Sequence, residues 1–371
     1  MTNHESPFTP DSYRDHESQK NYEMAKSILD NWNWDIPKEW LNIKTIDMHT
    51  GGEPLRVIYD GLPEIKGDTI LEKRRYFRDN LDYIRTGLMF EPRGHADMYG
   101  AVITEPISEN ADFGTFFIHN EGYSTMCGHA IIALTKLVLD TGMIQKDGDE
   151  PELIIDAPPG LIRAKAYRKN GIVEKVSFLN VPSFLLIKDE VIDVPGIGKV
   201  PFDVAYGGAF YAFVKAEEIG IGLESKDYNQ LIDWGRKIKY AVMDKYEIKH
   251  PFEEDLSFLY GTIFTGAAKD PKYHSRNVCI FAEGEVDRSP TGSGVSARAG
   301  LHFAKDELKL NEKITIESIL DTLMDVEVTE TTTYGPHKAV IPEVTGTAWI
   351  TGKNEFCFDP TDPLKNGFIF R

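Results

Sequence analysis

The spacing of apolar positions changes along the chain, and the changes mark an α/β order. Thr45-Ile46-Asp47-Met48 and Leu55-Arg56-Val57-Ile58 predict two strands around His49-Thr50-Gly51-Gly52-Glu53-Pro54, whose paired glycines mark a tight turn. Phe77, Leu81, Ile84 and Leu88 recur at helical steps, which predicts a helix over roughly 69–88. Tyr99 to Ile103 and Phe113 to Ile118 read as strands. A helix is then expected to begin near Gly128, to bury Ile131, Ala133, Leu134, Leu137 and Val138, and to end at Thr141-Gly142. Residues 152–184 read as β with Asn170-Gly171 as a hairpin turn, 202–214 as a strand pair around Gly207-Gly208, and Asp227 to Lys245 as a helix.

The second half repeats a unit of the first. Phe116 to Ile118 leads through Glu121 to Thr125 into Cys127-Gly128-His129 and its helix. Val278 to Ala282 leads through Glu283 to Pro290 into Thr291-Gly292-Ser293-Gly294 and a helix carrying Val295, Ala299, Leu301 and Phe303. Each unit is a strand, a polar loop, one small nucleophile-sized residue, a glycine and a helix. Cys127 and Thr291 stand 164 positions apart in 371, so two similar lobes facing across a cleft are expected.

Ahead of this pattern, residues 1–20 offer hardly anything to bury. Tyr22, Ala25, Leu29 and Trp32 fall at helical spacing, and three of the five tryptophans (Trp32, Trp34, Trp40) crowd the same stretch. That predicts a helix docked on the chain's own body, with a partner or oligomer contact as the alternative.

Composition narrows the function classes. Lys plus Arg number 41 against 59 Asp plus Glu, a formal charge of −18, which repels phosphate backbones and anionic headgroups. Neither nucleic acid nor a membrane surface is expected as a partner. No apolar run reaches the roughly 20 residues of a spanning helix, and the first thirty residues lack an apolar signal-peptide centre. Three cysteines form no disulfide framework and fit a reducing compartment, so the expected location is cytoplasmic.

The chemistry concentrates at the two repeated helix starts. A helix N-terminus presents unpaired amides and partial positive charge, and Gly128, Gly292, Ser293 and Gly294 would let a ligand approach that backbone. Two such termini could grip one carboxylate. The same field is expected to lower the Cys127 thiol, making it a base for the proton on the adjacent carbon. A buried structural cysteine remains an equal reading, and Cys279 and Cys357 read as structural. His129 and Asp287 sit in the two loops, as ligand contacts or as capping residues. No Cys/His spacing fits zinc, and no phosphate-cradling glycine fingerprint appears.

Several ordered stretches resemble the proline racemase family. They are Met126-Cys127-Gly128-His129, the run from Asp287 to Gly294, Asp47 to Arg56, Pro92 to Gly100, and Tyr206 to Ala212. The resemblance covers the chain from about residue 44 onward. It implies a diaminopimelate-epimerase-like α/β fold (α+β) with two similar lobes, each a β-sheet or barrel around a central helix, and the site between them. The expected division is an extension over 1–40, a first lobe of 41–195 plus 350–371 carrying Cys127, and a second lobe of 196–349 carrying Asp287 and Thr291. No cofactor and no metal are implied, and a homodimer is.

One position departs from the racemases of that family, which carry cysteine in both motifs. Here the second is Thr291, whose hydroxyl is far too weak an acid to shuttle protons near neutrality. Cysteine first and threonine second is the pairing of the family's dehydratases acting on trans-3-hydroxy-L-proline. In that compound the hydroxyl shares a ring face with the α-hydrogen, so one base on one face suffices for loss of water, giving Δ1-pyrroline-2-carboxylate after tautomerisation. The resemblance then implies Cys127 as base and the amides of Gly128, His129, Gly292 and Ser293 as the carboxylate grip. It places Asp287 and the His129 ring at the amine, Tyr99 and Phe281 as aromatic walls, and Thr291 beside the ring. A proline or hydroxyproline racemase or epimerase is the alternative, and a non-catalytic amino-acid-binding protein a further one.

Overall fold

The protein is described by a computed structural model, which covers residues 32–370 together with Glu23, Met24, Lys26 and Asp30. Two compact units divide between Leu41 and Asn42. Of the predicted N-terminal helix, Tyr22, Ala25 and Leu29 lie outside the described residues. Glu23, Met24, Lys26 and Asp30 are helical, whereas Trp32 is exposed and already beyond the helix. Within this unit the Trp34 and Trp40 rings meet edge-on at 6.1 Å.

The second unit is a mixed α/β fold built on a network of 18 hydrogen-bonded strands. Its first half comprises β1 (Leu41–Thr50), β2 (Glu53–Asp60), β3 (Gly100–Thr104), β4 (Phe113–Ile118), β5 (Tyr123–Ser124), β6 (Glu152–Ala157), β7 (Gly160–Lys169), β8 (Ile172–Leu179) and β9 (Phe184–Val194). The second half comprises β10 (Gly198–Tyr206), β11 (Phe210–Lys215), β12 (Leu259–Gly266), β13 (Ser275–Phe281) and β14 (Glu285–Val286). It continues through β15 (Lys313–Glu317), β16 (Leu323–Tyr334), β17 (His337–Gly346) and β18 (Ala348–Phe358). Four main helices punctuate them: α1 (Ile70–Met89), α2 (Gly128–Asp140), α3 (Tyr228–Lys245) and α4 (Gly292–Ala304).

The two halves share one pairing scheme. β1–β2 is antiparallel, β2–β3 parallel across α1, β3–β4 and β4–β5 antiparallel, and β4–β6 parallel across α2. β10–β11 is antiparallel, β11–β12 parallel across α3, β12–β13 and β13–β14 antiparallel, and β13–β15 parallel across α4. β8 and β17 pair with each other and join the halves. The final strand of each half crosses over, β9 to β10 and β18 to β1.

Local chemistry sets these boundaries. α1 starts where the Thr69 hydroxyl accepts from the Glu72 amide, and it buries Ile70, Phe77, Leu81, Ile84 and Leu88 along one stripe. The β7–β8 turn places Asn170 and Gly171 both at positive φ, as a tight hairpin twisted with its strands requires. α2 and α4 differ from α1 because they are buried on nearly every side. Eleven of the 13 residues of α2 and ten of the 13 of α4 are buried, which is the signature of a helix enclosed by sheet. The stretch 185–201, which the apolar pattern leaves unassigned on either side of Pro195, forms most of a long hairpin of β9 and β10 whose middle is exposed.

Candidate active site

The first turns of α2 and α4 meet head to head. A Cβ built on Gly128 would lie 2.6 Å from the Gly292 Cα, and one built on Gly292 the same distance from the Gly128 Cα. Only glycine at both positions permits that approach. The first intrahelical bonds run from Ile131 to the Cys127 carbonyl and from Val295 to the Thr291 carbonyl. The amides of Gly128, His129, Gly292 and Ser293 therefore have no carbonyl in their own helix, and both positive helix ends point to the same place.

There they enclose a small pocket lined by nine residues expected from the sequence, Tyr99, Cys127, Gly128, His129, Phe281, Asp287, Thr291, Gly292 and Ser293, whereas Gly294 is not in its lining. Met126, Tyr211 and Tyr260 complete the lining and were not singled out. Tyr211 lies in the Tyr206–Ala212 stretch, and its hydroxyl is 2.7 Å from Ser293 Oγ. Tyr260 had no sequence signal beyond an aromatic in an apolar run; its ring lies 5.3 Å from that of Phe281 and 5.9 Å from that of Tyr211.

Cys127 caps α2 in extended conformation, with Sγ 3.1 Å from His129 Nδ1. The His129 ring also bonds the Pro54 carbonyl, and burial lowers its pKa to about 3, so the imidazole is neutral near pH 7. For the thiol the helix-field expectation needs correction. Burial raises it well above the ordinary cysteine range, and the Ala130 amide and Tyr99 hydroxyl directed at the sulfur offset this only in part. Asp287 and Glu53 push the thiol further up. At this thiol burial outweighs the helix field.

Across the pocket, Asp287 Oδ1 accepts from the Ser289 amide at 2.7 Å, and Ser289 Oγ accepts from the Thr291 amide at 3.1 Å. Burial raises the Asp287 carboxyl to about 6, against the lowering effect of its Ser289 bonds. Behind it stands Glu53, fully buried, with one oxygen accepting from the Arg288 amide at 2.7 Å. Burial and the Asp287 charge hold Glu53 well above the usual carboxylate range. Thr291 caps α4 at φ 71°, a left-handed conformation that a β-branched residue rarely adopts. Cys279 is buried in β13 and Cys357 partly so in β18, neither among the pocket residues. Among the described residues no His/Cys/Asp/Glu group is arranged to hold a metal ion, and no helix is long and apolar enough to cross a membrane.

Repeated α/β halves that pool two helix N-termini around one thiol define an epimerase-like protein. The chain belongs to the proline racemase family, whose pattern matches residues 45–369. A protein of Colwellia psychrerythraea named Trans-3-hydroxy-L-proline dehydratase is 52% identical over 95% of this chain and 99% of its own. A Burkholderia multivorans protein named 3-hydroxyproline 2-epimerase is 43% identical over 89% of this chain and 98% of its own. Among solved structures, a hydroxyproline epimerase from Agrobacterium vitis with bound trans-4-hydroxy-L-proline superposes with a TM-score of 0.85 at 28% identity, covering 90% of this chain and 96% of that one.

Proposed function

We infer that the protein is a hydro-lyase that dehydrates trans-3-hydroxy-L-proline to Δ1-pyrroline-2-carboxylate without a cofactor. The observation that carries this reading is the inequality of the two helix caps: a thiol at Cys127 and an alkyl hydroxyl at Thr291. A thiol is by far the stronger acid of the two, so only the first can serve as a proton carrier. The relative from Colwellia psychrerythraea carries the same activity in its name.

In this reading the four helix-end amides hold the carboxylate, and Asp287 with His129 holds the ring amine as a cation. That cation compensates Asp287 and so removes one of the charges that oppose the thiolate, which the Ala130 amide and Tyr99 hydroxyl favour against burial. Cys127 Sγ takes the α-hydrogen as a proton. The electron pair of the broken Cα–H bond becomes the Cα=C3 double bond as the C3–O bond breaks, and the hydroxyl leaves from the same face as water, taking the proton that Cys127 has just accepted and returning the sulfur to the thiolate. The enamine tautomerises to the cyclic imine, so nothing on the Thr291 face has to move a proton. Stabilising the developing charge falls to the amides, already oriented before the reaction.

Support for two lobes, 41–195 plus 350–371 and 196–349, comes from the repeated pairing scheme and from the return of β18 to β1; the pairing of β9 with β10 argues for drawing the first boundary before Phe184. A cytoplasmic homodimer is the assembly we expect, on family resemblance. The test is imine formation from trans-3-hydroxy-L-proline with no added cofactor, run beside the cis-3 isomer and trans-4-hydroxy-L-proline. Product from the trans-3 compound alone, lost in Cys127→Ser, is the expected result. Inversion at Cα without imine would instead make the protein an epimerase.

A further inference from the structure

Beneath the Thr291 cap lies a polar arrangement that the first half of the chain lacks. Arg298 projects from α4 into the interior and is only 4% exposed. Its Nη1 donates to Asn277 Oδ1 and to Ser275 Oγ, each at 2.8 Å, and its Nη2 lies 2.9 Å from His302 Nε2. Among the described residues no carboxylate accepts from it directly; Glu307 meets His302 on the far side. Because a guanidinium can only donate, it fixes the Asn277 amide with oxygen inward and NH2 outward. The outward group donates to the Pro290 carbonyl at 3.0 Å. Pro290 immediately precedes Thr291, the cap held at φ 71°.

The internal repeat supplies the control. Arg298 lies seven residues past the Thr291 cap, and the residue seven past the Cys127 cap is Leu134. Counting back six from the Glu-Gly turn that follows each strand pairs Asn277 with Thr115. The first half thus has an apolar helix position and a short hydroxyl where the second has a buried cation and an amide. Its cap, Cys127, sits at φ −143°, an ordinary extended conformation. The buried polar brace therefore occurs in the half whose cap is strained and is missing from the half whose cap is relaxed.

We propose that Asn277, oriented by Arg298, is a positioning residue: it anchors the Pro290 carbonyl, holds Thr291 in its left-handed conformation, and so aims the Gly292 and Ser293 amides at the ligand carboxylate. Neither residue touches the pocket. The last clause rests on the amino-acid reading of the pocket, whereas the conformational clause does not.

The deciding variant is Asn277→Asp. An ionised aspartate keeps an acceptor for Arg298 and gains an ion pair, yet offers the Pro290 carbonyl no donor. Three readings separate the cases. The melting temperature should equal or exceed that of the wild type. A crystal structure of the variant should show Thr291 moved to negative φ. KM for trans-3-hydroxy-L-proline should rise about tenfold or more with kcat changed much less, because the carboxylate grip is shared by ground and transition states. Thr291 remaining near its present φ in the variant overturns the proposal, and so does a fall in melting temperature that parallels the loss of activity. A wild type inactive on this substrate would overturn the dehydratase reading instead, and the crystal structure would still decide the brace.

Discussion

Asp287 and Cys127 show how one physical cause shapes both sides of a small pocket. Water is excluded, so the charged forms of acid and thiol are disfavoured together, and each becomes sensitive to what binds. For Asp287 the consequence is a pH dependence with a defined sign. Its folded pKa of about 6 stands above the ordinary carboxylate value, so between roughly pH 4 and 6 the native state holds a proton that the unfolded chain has released. This carboxyl therefore costs stability as pH rises through that window. Activity should run the other way: kcat/KM should climb as pH rises through about 6, when Asp287 ionises and can hold an amine cation. Asp287→Asn should lose that acid limb along with most of its substrate affinity, which a pH series of initial rates would show.

Thr291 supports a second prediction at this scale. Thr291→Cys would place an ionisable group on the silent face, and exchange of the α-hydrogen with solvent deuterium should then be accompanied by inversion in L-proline. The wild type should give no inversion. Inversion in both, read by chiral chromatography, would remove the one-base argument. The sequence made the residue types of this pocket readable because catalysis needs particular atoms at particular places. It did not make the thiol's pKa readable: the helix start is visible in Cys127-Gly128, but the burial that opposes it, and the Asp287 and Glu53 charges that add to it, come from parts of the chain distant in sequence.

Among elements, the critical contact is between two backbones. The glycines that begin α2 and α4 let the helix ends touch, and a methyl group at Gly128 would sit 2.6 Å from the opposing Cα. Gly128→Ala should destabilise the fold by about 1–3 kcal/mol, the usual range for forced overpacking, and should reduce activity by more than the residual folded fraction explains. Denaturant titration alongside rates on the folded fraction would check it. Helices α1 and α2 and strand β4 were legible because their spacing, caps and apolar runs are local. The β9–β10 hairpin was not, since its solvent-facing residues carry little pattern, and neither was β15 to β18. Those strands are fixed by partners far away in sequence: β18 by β1 and β17 by β8.

For the whole molecule, the pocket lining leaves almost no surface to solvent, so a ligand can reach it only if the surrounding structure parts. Contacts that span the two repeats bear on that step. Asp255, just ahead of β12, meets Arg75 at 2.8 Å and the buried Arg74 at 3.4 Å, both on α1. Asp97, just ahead of β3, bonds Arg288 at 2.7 Å and Tyr228 at 2.9 Å. Asp255→Ala leaves the Arg74 guanidinium without its carboxylate and should cost about 1–3 kcal/mol of stability, measured by denaturation, with kcat little changed because the pocket atoms stay in place. The repeat itself was visible in sequence from its two short motifs. Its extent was not: with β6–β7–β8 and β15–β16–β17 also antiparallel, seven strand pairings match in each half, and β-sheet registers leave no fixed spacing in the chain.

The matched halves carry a consequence for direction. A site assembled from two copies of one unit starts out with mirror-like ends, and identical ends treat the two faces of a flat intermediate alike, so traffic through it runs both ways. Here the ends have been made unequal by a sulfur on one and an alkyl oxygen on the other. On the proposed reading, that broken symmetry turns a device for interconverting mirror images into one that sends its substrate a single way, with expelled water as the ratchet.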